Sequence, residues 1–242
     1  MLDRRMFLAA GFSAFLGACT TGIGPLSYLD SDPATDRKPI QDEAYPVPAV
    51  PMSIIPAQFH RQVVRNPTGE RAGTVVVDPG QRYLYLVLKD DRAIRYGIGV
   101  GREGFAWSGD AVVGAKQKWP RWHPPVEMQA RDEHARQYAN GMDAGPNNPL
   151  GARAMYLYQN GRDTLYRIHG TTEPRSIGKA MSSGCIRMLN ADVIDLYDRV
   201  PVGTRVVVIP AMSPLARLGD AIPDAAKRLP GQVQNLITGN PA

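Results

Sequence analysis

Short runs of β-branched and aromatic residues fill the middle of the chain. Three of them, Thr74–Asp78, Tyr83–Leu88 and the alternating run Ala93–Val100, are separated only by residues 79–82, which begin with Pro79–Gly80, and by Lys89–Arg92. Alternation with a period of two predicts β-strands, and Pro-Gly pairs or short charged breaks predict tight turns. Successive strands joined by tight turns pair as antiparallel hairpins. This region is therefore predicted to be mostly β.

Four later runs resemble these and predict further strands: Ala111–Trp119, Ala154–Tyr158, Thr164–Ile168 with His169 at its end, and Thr204–Ile209. One short helix is predicted after residue 190, with Asn190 as its cap. The apolar positions at helical spacing that predict its buried stripe are Val193, Ile194, Tyr197 and Val200. Between the strands, the proline-rich stretch Trp119–Pro149 predicts a long irregular loop, which in a compact domain often forms a flap over a site.

The first residues have the pattern of an export signal. A positive pair, Arg4–Arg5, precedes an apolar stretch, Met6–Ala18, that is short for a membrane-spanning helix. The segment Asp3–Leu8 resembles a twin-arginine signal. Leu16–Cys19 resembles the lipobox of bacterial lipoproteins, in which the cysteine receives lipid and becomes the mature N-terminus. The alternative is an ordinary signal peptide, cut just before an incidental Cys19.

Four segments are therefore expected. Residues 1–19 are the signal peptide, and residues 20–69 are a Pro-rich tether and lead-in, because seven prolines between residues 20 and 56 interrupt any helix. Residues 70–210 form the folded domain, and residues 211–242 form a C-terminal tail.

Charge and cysteine content restrict the possible function classes. The formal net charge of +5 suits anionic surroundings such as phospholipid head groups or an acidic polymer. The Lys and Arg residues are scattered rather than clustered on one predicted element, which disfavours nucleic acid as a partner. The chain has two cysteines, Cys19 and Cys185, so it is not a disulfide scaffold, and each cysteine needs its own explanation.

Candidate chemistry is concentrated in two segments, His169–Thr172 and Ser182–Met188. A thiol attacks a carbonyl as the thiolate, and an imidazole can take its proton, which pairs Cys185 with His169. Backbone N–H groups around Gly184 and Cys185 can stabilise an oxyanion, and Arg187 can bind a substrate carboxylate. Taken singly, each residue has a plainer reading: a buried cysteine, a hydrogen-bonded histidine at a strand end, or turn and surface residues.

The two segments together, His-Gly-Thr followed by Ser-x-Gly-Cys-x-Arg-Met, resemble the signature of the L,D-transpeptidase (YkuD) catalytic domain. The runs Arg82–Val100, Gly145–Arg153 and Ile177–Val208 are also similar to members of that family, so the resemblance covers about residues 70–210. It implies an antiparallel β-sandwich with one short helix after the nucleophile. Many members have a histidine where this chain has Ser183, so no role of that histidine is carried over.

The resemblance also implies a reaction on peptidoglycan. Cys185 would attack the L-centre carbonyl of diaminopimelate in a tetrapeptide stem and expel D-Ala, with His169 as general base. The acyl group would pass to an amine, either of a second stem as a 3→3 cross-link or of an outer-membrane protein that becomes anchored. In this family a third group steadies the base, sometimes a hydroxyl and sometimes a backbone carbonyl, and Thr171 and Ser183 both remain candidates for it. The remaining expected roles are oxyanion and positioning residues (Gly184, Ser183, Gly170, Thr171) and substrate-binding residues (Arg187, Tyr158).

Two other functions remain compatible with the same residues. Water as the acceptor gives an amidase or carboxypeptidase, and a silent site gives a wall-binding lipoprotein. A thiol redox protein would usually have a second cysteine nearby. No cofactor is expected, and no metal, because His60, His123, His134 and His169 lack ligand spacing. The expected location is the periplasm, with a lipid at Cys19 as the membrane anchor.

The lipid anchor gives the first testable prediction. Cys19→Ala should move the protein from the membrane fraction to the soluble fraction of expressing cells, because the acyl chains are its only proposed anchor. Fractionation followed by immunoblotting measures this. Unchanged membrane retention would show that Cys19 is not the anchor.

Overall fold

Short β-strands make up most of the regular secondary structure that the structure describes. The fold is described from a computed structural model over residues 39–41, 44–101, 107–181 and 185–211. The predictions on the signal peptide, Cys19, Ser183, Gly184 and the tail beyond residue 211 lie outside these residues. Within them, the strands are β1 (Gln62–Arg65), β2 (Val75–Asp78), β3 (Tyr83–Val87), β4 (Arg92–Gly97), β5 (Gly99–Gly101), β6 (Gly109–Lys118), β7 (Arg153–Gln159), β8 (Arg162–His169), β9 (Ala180–Met181), β10 (Ile186–Arg187) and β11 (Arg205–Val208).

These strands are linked by hydrogen bonds in one continuous order, β1-β4-β3-β2-β11-β6-β7-β8-β10-β5-β9. Most neighbours are antiparallel, as hairpins require, whereas β2–β11, β8–β10 and β5–β9 are parallel pairs. The prediction of a mostly β fold is confirmed. The predicted strand runs match β2, β3, β4, β6, β7, β8 and β11, with ends that differ by a few residues. The two-residue strands β9 and β10 were not predicted, because so short a segment shows no periodicity.

The predicted helix after the nucleophile is present as α3 (Asn190–Arg199). The prediction that Asn190 caps it was wrong. The helix begins at Asn190 itself, without a side-chain cap, and the Asn190 Oδ1 instead accepts a hydrogen bond from the Ala152 N–H at 3.0 Å. The Asn190 side chain thus bonds to a backbone N–H 38 residues earlier in the chain rather than to the first turn of its own helix. The stretch predicted as irregular also contains two short helices, α1 (Val126–Arg131) and α2 (Glu133–Gln137), too short for an apolar stripe to reveal.

A buried ionic cluster joins α3 to the sheet. The Asp195 carboxylate accepts a hydrogen bond from Tyr96 Oη at 2.6 Å and pairs with Arg61 at 3.3 Å and Arg199 at 2.9 Å. Tyr96 is fully buried on β4, and Asp192, one helical turn before Asp195, is also buried. Removing one member of such a cluster leaves the others charged and buried, which is costly. The cluster therefore fixes the helix that directly follows β10.

The lead-in packs against the domain. Ile40 and Val47 form an antiparallel bridge, and Val47 is buried against Trp119 and Ala152. The Tyr45 hydroxyl donates to a carbonyl of the loop before β7 at 3.2 Å. Val47 therefore attaches this part of the lead-in to the core, beside the segment that leads into β7.

Phe59 is the second contact of the lead-in with the domain. Its ring packs with Ile55, Ile177 and Leu189 in one buried cluster. A Cβ at Gly178, where φ is +81°, would lie 2.2 Å from the Phe59 ring, so the glycine permits both the backbone angle and the close contact. In the described part of the chain, no helix is long and apolar enough to cross a membrane.

This packing predicts that the lead-in contributes to stability. Phe59→Ala should lower the free energy of unfolding by about 3–5 kcal/mol, the usual cost of removing a buried aromatic ring. Gln58→Ala, at the exposed neighbouring position, is the matched control and should change it by less than about 0.5 kcal/mol. Urea unfolding followed by circular dichroism measures both. Equal, small effects would mean that the lead-in does not stabilise the domain.

Candidate active site

The two candidate segments meet where β8 and β10 pair in parallel. In this pairing Ile186 lies opposite Ile168, and Arg187 lies opposite His169. The Met188 N–H donates to the His169 carbonyl at 2.8 Å, which extends the pairing by one residue. Residues paired across parallel strands point to the same face of a sheet, so Arg187 and His169 share a face.

Cys185 directly precedes β10 and is half-buried. Its carbonyl accepts a hydrogen bond from the Gly101 N–H at 3.3 Å, so the β5–β10 pairing continues through Cys185. Cys185 therefore lies at the start of β10, one residue before the pair Ile186–Ile168 and two before the pair Arg187–His169. The fold thus brings the predicted nucleophile and base to adjacent strands.

His169 is buried, with 4% of its surface exposed. Burial, followed by the positive charge of Arg187, lowers its pKa to about 4, although backbone carbonyls of Gly170 and Leu150 act in the opposite direction. The imidazole is therefore neutral at pH 7. A neutral ring can accept a proton, which a general base must do.

The orientation of the His169 ring is fixed by a backbone group. Its Nδ1 lies 2.6 Å from the Gly170 carbonyl oxygen. A carbonyl oxygen only accepts hydrogen bonds, so Nδ1 carries the proton and Nε2 carries the lone pair. The predicted candidates for this supporting role were Thr171 and Ser183. The Thr171 hydroxyl instead accepts a hydrogen bond from the Glu173 N–H at 3.0 Å, and Ser183 is outside the described residues.

Two asparagine side chains organise the backbone around His169. Asn148, 1% exposed, donates to the carbonyls of Pro120 and Asp143 and accepts from the Leu150 N–H at 2.9 Å. Asn190 holds the Ala152 N–H on the next segment. Sequence reasoning missed this role because each asparagine bridges segments that are far apart in sequence.

Gly170 is required by close packing beside the base. A Cβ at this position would lie 2.1 Å from Asn190 Oδ1 and 3.1 Å from the Ala152 nitrogen. Any other residue would force this tightly bonded region apart. Gly170 was predicted as a positioning residue, and its described contacts are its carbonyl on His169 and this close approach.

Arg187 is largely buried, with 17% of its side chain exposed, and its Nη1 binds the Glu173 carboxylate at 2.9 Å. Arg187 was predicted to bind a substrate carboxylate. The structure supplies a carboxylate from the chain itself at this position. Glu173 carried no signal in the sequence, because an acidic residue in a polar loop is usually a solvated surface residue.

Arg167 is a second guanidinium beside the site, and sequence reasoning missed it. It lies two residues before His169 on β8, is bonded to both oxygens of Asp163 at 2.7 and 2.8 Å, and covers the Tyr156 ring at 4.5 Å. Tyr158 was predicted to bind substrate. It lies four residues along β7 from Ala154, which pairs with His169, and so about 13 Å along the strand.

A pocket of about 340 Å³ opens beside these residues, at the carboxyl ends of β8 and β10. It is bordered by lead-in residues 46–51, by Trp119, and by Thr171, Thr172 and Asn190. Among the described residues, its lining does not include Cys185, His169 or Arg187. The part of the chain that the structure describes contains no group of three or more His, Cys, Asp or Glu side chains that could hold a metal ion.

Comparisons with known proteins agree with this geometry. The family model described as the L,D-transpeptidase catalytic domain, YkuD, matches residues 72–208, more than half of the chain. The probable L,D-transpeptidase ErfK/SrfK of Escherichia coli K12 is 38% identical over 141 residues, which cover 56% of this chain and 43% of that protein. The probable L,D-transpeptidase YbiS of the same strain is 36% identical over 142 residues, 57% of this chain and 44% of that one. The chain thus spans less than half the length of these curated relatives.

A solved structure from Brucella melitensis, described as a probable carnitine operon oxidoreductase, is 52% identical and covers 65% of this chain and 98% of that one, with a TM-score of 0.45. That description concerns the Brucella protein, and the structural overlap is too low to carry an argument. The match to the family model over residues 72–208 is the decisive finding. The chain belongs to the L,D-transpeptidase catalytic domain family.

Proposed function

We propose that this protein is a cysteine acyltransferase of the bacterial cell wall. Cys185 attacks the L-centre carbonyl of diaminopimelate in a tetrapeptide stem, and the terminal D-Ala leaves. The acyl group then passes to an amine, either of a second stem or of a protein to be anchored. The observation that supports the proposal is the parallel pairing of β8 with β10, because β8 ends at His169 and β10 begins directly after Cys185.

His169 moves the proton at each step of this mechanism. The Cys185 sulfur forms a bond to the carbonyl carbon while its proton passes to His169 Nε2. The bond to the D-Ala nitrogen then breaks, and the proton passes from Nε2 to that nitrogen. When the acyl group is transferred to the amine, Nε2 takes a proton from the attacking amine and passes it to the leaving sulfur.

The resting imidazole is neutral. Burial makes the imidazolium costly, so the proton moves when the sulfur attacks rather than beforehand. The Gly170 carbonyl keeps Nε2 as the accepting nitrogen, and backbone N–H groups at Gly184 and Cys185 would stabilise the oxyanion.

We further propose that the protein acts outside the cytoplasm, in the periplasm, with a lipid at Cys19. The proposal is supported by the charged and apolar start of the sequence and by the lipobox-like Leu16–Cys19. Its substrate, the peptidoglycan stem, is found on that side of the membrane.

The lowered pKa of His169 predicts an unusual pH profile for acylation of Cys185. The rate requires neutral His169, whose pKa falls from 6.5 to about 4. The rate should therefore persist as the pH falls from 7 to 5 and reach half its plateau near pH 4. Stopped-flow acylation by a carbapenem across this range measures the profile.

Two variants separate the causes of this profile. Arg187→Gln removes a positive neighbour and should move the midpoint upward, but not as far as 6.5, because burial is the larger cause. His169→Ala should lower the plateau rate by about 10²–10⁴-fold, as loss of a general base does. A wild-type midpoint near 6.5 would contradict the role of burial, and a near-normal rate in His169→Ala would remove His169 from the mechanism.

The nucleophile is tested by the stoichiometry and location of the adduct. A carbapenem presents a strained electrophilic carbonyl and should add once per full-length chain, detected by intact-protein mass spectrometry. Cys185→Ser should abolish the adduct, because a hydroxyl is a far weaker nucleophile in a site built for a thiol.

Cys19→Ser is the matched control and should leave the adduct unchanged. An adduct that persists in Cys185→Ser would place the nucleophile elsewhere. Incubation with stem peptides then identifies the acceptor, because a dimer indicates transfer to an amine and a shortened monomer indicates hydrolysis.

A further inference from the structure

The ion pair between Glu173 and Arg187 links a largely buried residue of the site to an exposed residue of the loop after β8. Arg187 faces His169 across β8 and β10, and 17% of its side chain is exposed. Glu173, in the loop after β8, is 63% exposed and reaches Arg187 Nη1 at 2.9 Å. The guanidinium is thus fixed within the protein, while the carboxylate approaches it from solvent.

The backbone of Glu173 is held independently of its side chain. Its N–H donates to the Thr171 hydroxyl at 3.0 Å, and its carbonyl accepts from the Ser176 N–H at 2.9 Å and hydroxyl at 2.6 Å. The carboxylate can therefore leave Arg187 by side-chain rotation alone. No rearrangement of the loop is needed.

The neighbouring arginine shows a different arrangement. Arg167 is bonded to both oxygens of Asp163, and their side chains are 16% and 33% exposed. Two parallel bonds in a more buried setting make that pair hard to displace. The contact between Arg187 and Glu173 is the more exposed of the two and is therefore weak and exchangeable.

We propose that Glu173 is a specificity-determining residue that occupies Arg187 until a carboxylate of the donor stem displaces it. This inference rests on the proposed function, and it concerns the donor rather than the acceptor. A tetrapeptide stem offers two carboxylates, at the terminal D-Ala and on the diaminopimelate side chain. Both share the chemistry that Arg187 binds, and a neutral donor would gain nothing from displacing Glu173.

The test measures donor binding without turnover. In the full-length chain with Cys185→Ala, calorimetry gives the Kd of three synthetic tetrapeptides: the free acid, the D-Ala amide, and the diaminopimelate side-chain amide. Adding Glu173→Gln should tighten binding of the free acid about 2- to 5-fold, the range expected for loss of an exposed competing ion pair. For one of the two amides, Glu173→Gln should leave the Kd unchanged. The carboxylate that is blocked in that amide is the one that Arg187 binds.

Asp91→Asn is the matched control, because Asp91 forms an exposed ion pair with Arg65 on the outer strand β1. It should leave all three Kd values unchanged. The proposal is overturned if Glu173→Gln changes all three Kd values equally, weakens binding of the free acid, or has no effect, and also if no donor binds. The proposed function is tested separately by D-Ala release from the free acid by the wild-type chain.

Discussion

The parallel pairing of β8 with β10 is the constraint on which the rest of the site depends. It joins two segments separated by a long loop, pairs Arg187 with His169, and fixes the backbone of Cys185 at the start of β10. Both strands end beside the same loop cluster, where Asn148 and Asn190 hold the backbone. Because β10 has two residues, it depends on its neighbours for its position.

That position is secured from outside the strand. On one side, α3 follows directly and is fixed to β4 by the ionic cluster around Asp195. On the other side, the lead-in packs Phe59 against Ile177 and Leu189, which flank β9 and β10 in sequence. Segments remote from the site therefore determine the position of β10 relative to β8, and for the proposed reaction an error of even about 1 Å in that position would be costly.

Burial has a double effect on His169. It removes water from the imidazole and so favours the neutral ring. Because water is excluded, the ring must also form its hydrogen bonds with protein groups, such as the Gly170 carbonyl. Arg187 adds a positive charge nearby, which lowers the pKa of His169 further. The protonation of the ring is thus set by burial, a positive neighbour and backbone carbonyls.

Sequence patterns predicted the parts of this arrangement that are local. Runs of β-branched and aromatic residues located seven strands, and two short motifs located Cys185 and His169, because these features are legible in the local sequence. The pairing of β10, the long-range use of Asn190 and the contact of Glu173 left no such mark. Each depends on residues brought together by the tertiary fold, and Asn190 shows that such a contact can override the local preference for a cap.

The carbonyl that orients His169 also affects how the site can be lost by mutation. A side-chain partner, such as an aspartate or a hydroxyl, can be removed by one nucleotide change, but the Gly170 carbonyl belongs to the main chain and is present whatever residue the codon specifies. Substitution at position 170 would harm the site through the bulk of the new side chain against Asn190, not through loss of the acceptor. A survey of variants that scores only side chains would therefore count Cys185 and His169. It would miss the Gly170 carbonyl, on which the ring relies and which no point mutation can delete.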